Sequence, residues 1–191
     1  EQLLAEATIY VSLEPCAHHG KTPPCAELII KKGVRRVVVG CTDPFARVQG
    51  RGIEMIRRAG IEVTVGVLES ECAELNKRFM TYHSEHRPYI ILKWAQTSNG
   101  YIDDNFRPTA ISNAFTSMLS HRLRAENDAI LVGRTTAERD RPALNVRHWT
   151  GRDPMRITLG HDTDLHSLMD DLHGKSIQSL IVEGGAKTHR S

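Results

Sequence analysis

Two cysteines, Cys16 and Cys25, flank a loop rich in turn residues, Ala17-His18-His19-Gly20-Lys21-Thr22-Pro23-Pro24. Thiolates are soft donors that suit zinc. The first cysteine follows Ile9-Tyr10-Val11-Ser12-Leu13, whose alternation predicts a strand. The second follows two prolines and opens Ala26-Glu27-Leu28-Ile29-Ile30-Lys31-Lys32-Gly33, a predicted helix closed by glycine. Both thiols then stand near a helix N-terminus, where the dipole lowers a thiol pKa and favours the thiolate that metals need. A structural zinc knuckle and a redox pair are the other uses of such a pair.

A catalytic zinc takes three protein ligands and leaves one position for water. Zinc deaminases draw their histidine ligand from an earlier His-x-Glu helix, whose glutamate shuttles the protons. No His-x-Glu precedes Cys16, so the third ligand and the catalytic acid/base are expected outside this sequence. A second group stands near the other end. Val182-Glu183-Gly184-Gly185-Ala186 follows a predicted strand and precedes a predicted helix, and its paired glycines let backbone N–H groups approach a phosphate. An ordinary turn has the same composition.

The run Glu14-Pro15-Cys16-x-His18-x-Gly20-x-Thr22-Pro23-Pro24-Cys25 resembles the deaminase domain of the bifunctional pyrimidine deaminase/reductase family of riboflavin biosynthesis. Its cysteine spacing is longer than the Pro-Cys-x-x-Cys of cytidine and tRNA deaminases. Four later segments occur in the order of that family's reductase domain: 92–100, 123–133, 141–147 and 182–186. That domain is similar to dihydrofolate reductase and uses NADPH.

The resemblance implies an α/β protein, with a cytidine-deaminase-like domain over residues 1–86 and a dihydrofolate-reductase-like domain over 87–191. Both are expected to be incomplete here, because His161-Asp162 follows Leu159-Gly160 at once and the Gly-Gly helix runs straight into Lys187-Thr188-His189-Arg190-Ser191. The implied metal ligands are Cys16 and Cys25, for Zn2+. His18, Lys21 and Thr22 are implied contacts to the pyrimidine or its phosphate. Gln96, Thr136, Asp140, Gly184, Gly185 and Ala186 match NADPH-contacting positions. Arg124, Leu144, Arg147 and Glu183 match substrate-contacting ones, and the two arginines offer the planar fork that a phosphate monoester needs. Ala110 stands before Ile111-Ser112 where some members carry a tryptophan at the cofactor.

The implied activity is hydrolytic deamination of a diaminopyrimidinone ribosyl phosphate, then NADPH-dependent reduction of its ribosyl chain. A zinc-stabilised nucleotide-binding module without deaminase activity is the reading from another class. A nucleoside or tRNA deaminase explains the first half alone.

Composition sets the frame. The 191 residues are 40% hydrophobic and 25% charged, with a net charge of +2, which makes no case for a nucleic-acid or membrane partner. No apolar run approaches the ~20 residues that span a bilayer, and no secretory signal opens the sequence. Four cysteines, two of them isolated (Cys41 and Cys72), suit a reducing compartment, so a cytoplasmic protein is expected. A small-molecule substrate is the expected partner, and a homo-oligomer is compatible with the sequence.

The elements that must hold these residues are legible as alternating patterns. Strands are predicted over 34–40, 61–67, 89–95, 129–133, 155–159 and 179–182, with 89–95 central because its apolar run is nearly continuous. Helices are predicted over 53–60, 71–84, 113–126 (capped by Ser112) and 165–172, with residues 1–7 as a helix tail and a helical turn at Thr135-Thr136. The segment 141–147 is expected as loop and extended chain. The polar, proline-ended stretch 83–88 is the expected boundary.

Overall fold

Alternation of β-branched strands with amphipathic helices produces two separate parallel sheets, each in its own unit, residues 1–85 and 86–191. The structure is a computed structural model, and it describes residues 2–20, 22–45, 49–104, 107 and 109–190. Lys21, one of the implied substrate contacts, lies outside the described residues. The α/β expectation is met in both units.

The first unit runs from a 3-10 helix (Gln2–Glu6) through β1 (Thr8–Leu13), α1 (Cys25–Lys31), β2 (Arg36–Cys41), α2 (Arg51–Arg58), β3 (Glu62–Val65), α3 (Glu69–Leu75) and α4 (Lys77–Glu85). Its strands lie in the order β1-β2-β3, all parallel, with Val11 beside Val39 and Val39 beside Val65. Because side chains alternate along a strand, Val37 and Val39 face one way, against Ala26 and Ile29 of α1 and Ile53 and Ile56 of α2. Helix α3 packs against β1 and β2. Gly40 permits this, since a Cβ there would overlap Cys72 of α3.

The second unit contains β4 (Tyr89–Lys93), α5 (Ala114–Ala125), β5 (Ala129–Gly133), α6 (Arg134–Arg139), β6 (Met155–Leu159), α7 (Leu165–Gly174), β7 (Ser179–Glu183) and α8 (Ala186–Arg190). The sheet order is β4-β7-β5-β6, again all parallel. One face packs Ala129, Leu131, Leu180 and Val182 under Leu172 of α7. The other packs Ile130, Val132 and Ile181 with Leu144, against Leu123 of α5 and Ala137 of α6. Burying an Ile such as Ile130 or Ile181, both fully enclosed, stabilises the fold by about 2–3 kcal/mol. Asp128 pins β5 to β7: its Oδ2 accepts the N–H groups of Gln178 and Ser179 at 3.0 Å each.

Four expectations are corrected. Strand β4 lies at a sheet edge among the described residues, not at the centre. The core cluster under α7 draws on β5, β6 and β7 but not on β4, so Ile90 and Leu92 stay 37% and 49% exposed. The single helix predicted over 71–84 is two, broken at Asn76, whose side-chain amide donates to the Cys72 carbonyl at 2.8 Å and competes with the helix ladder. Helix α5 is capped by Asn113, which accepts the Thr116 N–H at 2.9 Å, rather than by Ser112. The helix tail predicted over 1–7 is the short 3-10 helix. Among the described residues, no helix is long and apolar enough to cross a membrane.

Candidate functional site

In the first unit the chemistry gathers at the C-terminal ends of β1 and β2, where ligands approach open parallel sheets. The Cys25 N–H, at the first turn of α1, donates to Cys16 Sγ at 3.2 Å. The nine-residue separation therefore folds back so that the two sulfurs share one helix N-terminus. A side-chain hydrogen bond with Cys16 raises the Cys25 pKa, with burial and the charge of Cys16 adding to it. The expected lowering at Cys25 is therefore corrected: the neighbouring Cys16 thiol and burial hold its pKa up.

Around the pair lies a cavity of about 540 Å³ whose polar lining includes His18, Asp43 and His83. His18 meets Phe45 edge-on at 6.0 Å, and Phe45 meets His83 at 4.8 Å. Asp43 is 5% exposed. Burial pushes its carboxyl above the usual carboxylate range, while the Phe45 N–H at 2.8 Å and the histidines oppose this. Among the described residues, no group of three or more His, Cys, Asp or Glu converges as a metal-holding set. Cys16 and Cys25 are two potential ligands, one fewer than a catalytic zinc takes from its protein.

What fixes this loop is a residue that sequence reasoning passed over. Glu14 is 4% exposed, and its carboxylate accepts four backbone N–H groups: Gly50 at 2.8 Å, Gly52 at 2.9 Å, and Asp43 and Ile53 at 3.2 Å. Three of these donors open α2, so the carboxylate sits where the helix dipole is positive. Gly52 lets α2 come this close, because a Cβ there would overlap the Pro15 carbonyl oxygen. Glu14-Pro15-Cys16 is tied to α2 by one buried side chain. The sequence offered Glu14 as the opening residue of the cysteine motif and as a carboxylate after an apolar strand, with no sign of its backbone partners.

In the second unit, strand alternation places Ile91 and Lys93 of β4, and Ile181 and Glu183 of β7, on the face that carries α5. Glu183 and Lys93 are register partners, with Nζ 3.6 Å from Oε2. From α5, Arg124 grips Glu183 with Nε–Oε1 at 2.9 Å and Nη2–Oε2 at 2.8 Å. Its Nη1 donates to the Asn145 carbonyl at 3.4 Å. The fork read as a phosphate clamp is already engaged with a carboxylate. Arg147 is exposed, and its Nη1 donates to Asn145 Oδ1 at 2.8 Å. It stands in an open depression with His148, Trp149 and Thr150.

Leu144 takes a left-handed backbone conformation, φ 50°, and its side chain is buried in the core at 6% exposure. For a residue with a branched side chain this conformation is strained and is held by the packing. Lys93, Asn145 and the buried His121 join this group; none was singled out from sequence, since each is an ordinary strand, loop or helix residue until its partners are known.

The positions matched to the cofactor share the C-terminal ends of β4, β5 and β7. Trp94 Nε1 donates to Gln96 Oε1 at 2.9 Å, and its ring meets His189 at 5.7 Å. His189 Nε2 in turn lies 3.0 Å from the Gly184 carbonyl oxygen. Gln96 and Gly184 are thereby linked through two side chains. Gly133 admits α8, since a Cβ there would overlap Thr188. Thr136 lies on α6, and its carbonyl accepts the Asp140 N–H at 3.0 Å. A Cβ on Gly185 would meet nothing within 4 Å, so the space above it is open to a ligand.

Comparison with known proteins gives a consistent result. The family described as the RibD C-terminal domain matches residues 88–163. The riboflavin biosynthesis protein RibD of Aquifex aeolicus is 46% identical over 178 residues, which are 92% of this chain and 50% of that protein. RibD of Escherichia coli is 42% identical over 151 residues, 77% of this chain and 40% of that protein. Among solved structures, a Thermotoga maritima diaminohydroxyphosphoribosylaminopyrimidine deaminase/5-amino-6-(5-phosphoribosylamino)uracil reductase superposes with a TM-score of 0.82 at 35% identity, covering 95% of this chain and 62% of that one. Acinetobacter baumannii RibD gives a TM-score of 0.86 at 29% identity, covering 98% and 65%. The chain spans about half the length of the curated relatives it matches.

Proposed function

The chain belongs to the RibD family of riboflavin-biosynthesis proteins, and from that premise we propose that residues 86–191 carry the NADPH-dependent reductase step and residues 1–85 the zinc loop of the deaminase. The observation that carries the reductase reading is the Arg124–Glu183–Lys93 group beside Arg147 at the C-terminal ends of β4 and β7. One matched carboxylate is held rigidly by two cations, and one arginine is left facing the open depression. Arg147 holds the phosphate of the ribosylaminouracil substrate. Glu183, fixed by Arg124, orients the sugar toward the cofactor. Gly184, Gly185 and Ala186 present backbone donors to the cofactor phosphates, with Gln96, Thr136 and Asp140 around them. NADPH supplies the hydride when bound; the residues bind and orient both partners.

In the first unit Cys16 and Cys25 would hold a zinc ion, which would supply an activated water for hydrolysis at the amine-bearing ring carbon. His18, Asp43 and His83 line the substrate side of the cavity. The product is a pyrimidine ribitylamino phosphate, and the protein works on small molecules in the cytoplasm.

Two measurements test this. Mixing the protein with deaminated, phosphorylated substrate should oxidise NADPH, and Arg147→Ala should raise KM for that substrate while changing little for its dephosphorylated form. Metal analysis of the intact protein, including the segment expected to supply the third ligand, should find zinc in the wild type and not in Cys16→Ser or Cys25→Ser, with reduction retained in both. Absence of substrate-dependent NADPH oxidation by the folded wild type overturns the reductase assignment. Zinc content unchanged by either serine variant overturns the assignment of the metal loop.

A further inference from the structure

His121 is the largest fully buried polar side chain of the second unit, 2% exposed on the inner face of α5, one turn before Arg124. Its Nδ1 accepts the backbone N–H of Arg147 at 3.3 Å. Its ring meets His148 edge-on at 4.8 Å.

The segment that carries Arg147 has no strand partner of its own. It is held residue by residue: Leu144 by the core, Asn145 through its carbonyl to Arg124, Val146 through its N–H to Asp153 at 2.8 Å, and Arg147 through its N–H to His121. Of these four attachments, the first has no titratable group, an arginine stays charged, and a carboxylate remains an acceptor throughout the neutral range. A histidine acceptor is the one that a proton can remove near neutrality.

We infer that His121 is a positioning residue: by accepting the Arg147 N–H it fixes the backbone from which Arg147 reaches a phosphomonoester, and it does so only as the neutral imidazole. This rests on the reading of Arg147 as the phosphate-binding residue. The surroundings keep the ring neutral at physiological pH. Burial lowers its pKa, the Arg124 charge lowers it further, and Arg147 and His148 add to this, while hydrogen bonding to the Asn145 backbone opposes it. Protonation in acid converts Nδ1 into a donor facing another donor. The Arg147 N–H then loses its partner, and the segment is freed at the residue that must be still.

The test uses the protein with ribose 5-phosphate as probe and ribose as control, titrated across the range from neutral to acid. Wild type should bind ribose 5-phosphate more tightly than ribose, and Arg147→Ala should remove the difference. His121→Leu fills the space without an acceptor and should weaken ribose 5-phosphate binding at every pH by about tenfold, the equivalent of one hydrogen bond. His121→Asn keeps an acceptor at the Nδ1 position and cannot gain a proton. It should bind like wild type at neutral pH and lose less affinity in acid. The phosphate of the probe titrates itself near pH 6, so the ratio between variants carries the result.

Amide hydrogen exchange at Arg147 supplies a readout free of ligand: protection should fall in acid for wild type and not for His121→Asn. His121→Leu binding like wild type, an acid profile shared by wild type and His121→Asn, or tighter binding by wild type in acid would each overturn the proposal. If Arg147→Ala binds like wild type, the phosphate reading fails, and the exchange data still decide whether His121 holds the segment.

Discussion

Arg124 and Glu183 lie 59 residues apart in sequence and meet through a two-point hydrogen-bonded ion pair, with both side chains 12% exposed. Such a pair joins α5 to β7 in one orientation, because the guanidinium fork and the carboxylate plane must be parallel. Removing one member leaves the other charged, largely buried and without its main partner. Glu183→Ala should cost about 3 kcal/mol in urea unfolding, and replacing both residues by Leu should cost less than either single loss. A double-mutant cycle on unfolding midpoints checks this.

Glu14 accepts four backbone N–H donors through one buried carboxylate. Glu14→Ala strands them and should destabilise the first unit by about 3 kcal/mol, while Glu14→Gln, with one acceptor oxygen left, should lose about half of that. Zinc retention should fall in the same order, since Pro15-Cys16 follows Glu14 directly. Parallel unfolding and metal-content measurements give the answer.

Two glycines should behave in opposite ways. Gly52→Ala drives a Cβ into the Pro15 carbonyl oxygen, and should destabilise the first unit by about 3 kcal/mol. Gly185→Val enters open space, and should leave unfolding unchanged while weakening NADPH, measured by the fluorescence of the bound nicotinamide. Unchanged NADPH affinity would leave Gly185 as a turn residue only.

Asp43 should make stability fall as pH rises. Its folded pKa is raised, chiefly by burial, so the folded state keeps a proton that the unfolded state has already released. Any stability linked to that proton is present below the ordinary carboxylate pKa and lost as pH rises through the folded value. Asp43→Asn keeps the acceptor for the Phe45 N–H and needs no charge. It should be more stable than wild type at neutral pH, with the difference vanishing in acid, as read from unfolding midpoints across pH.

The sequence made some of this plain and hid the rest for physical reasons. Cys16 and Cys25 are legible because their chemistry belongs to the residue type and their loop is bounded by a strand and prolines. The strands at 36–41, 129–133 and 179–183 are legible because β-branched alternation is local. Glu14 and His121 are not, because each acts on backbone N–H groups far away in sequence, 36 residues for Gly50 and 26 for Arg147. Strand β4 misled because an apolar run shows what can be buried, whereas the reach of α7 decides what is. Asn76 misled because its amide competes for a helix carbonyl only once the helix exists.

The place of β7 has a consequence for how the second unit comes into being. Among the described residues it is the strand furthest along the sequence, yet it lies between β4 and β5, pairing Tyr89 with Ser179 on one side and Ala129 with Leu180 on the other. Among the described strands, β4 pairs with none but β7, and β5 pairs with β6 and β7, so both wait on β7. Synthesis from the N-terminus therefore leaves β4 and β5 without the strand between them until residue 183 has left the ribosome, while β1, β2 and β3 pair as they emerge. Distant pairing also closes long loops before it is rewarded, which slows folding. The first unit should refold quickly and the second in a later phase, and ending the chain before Ser179 should abolish the second phase altogether.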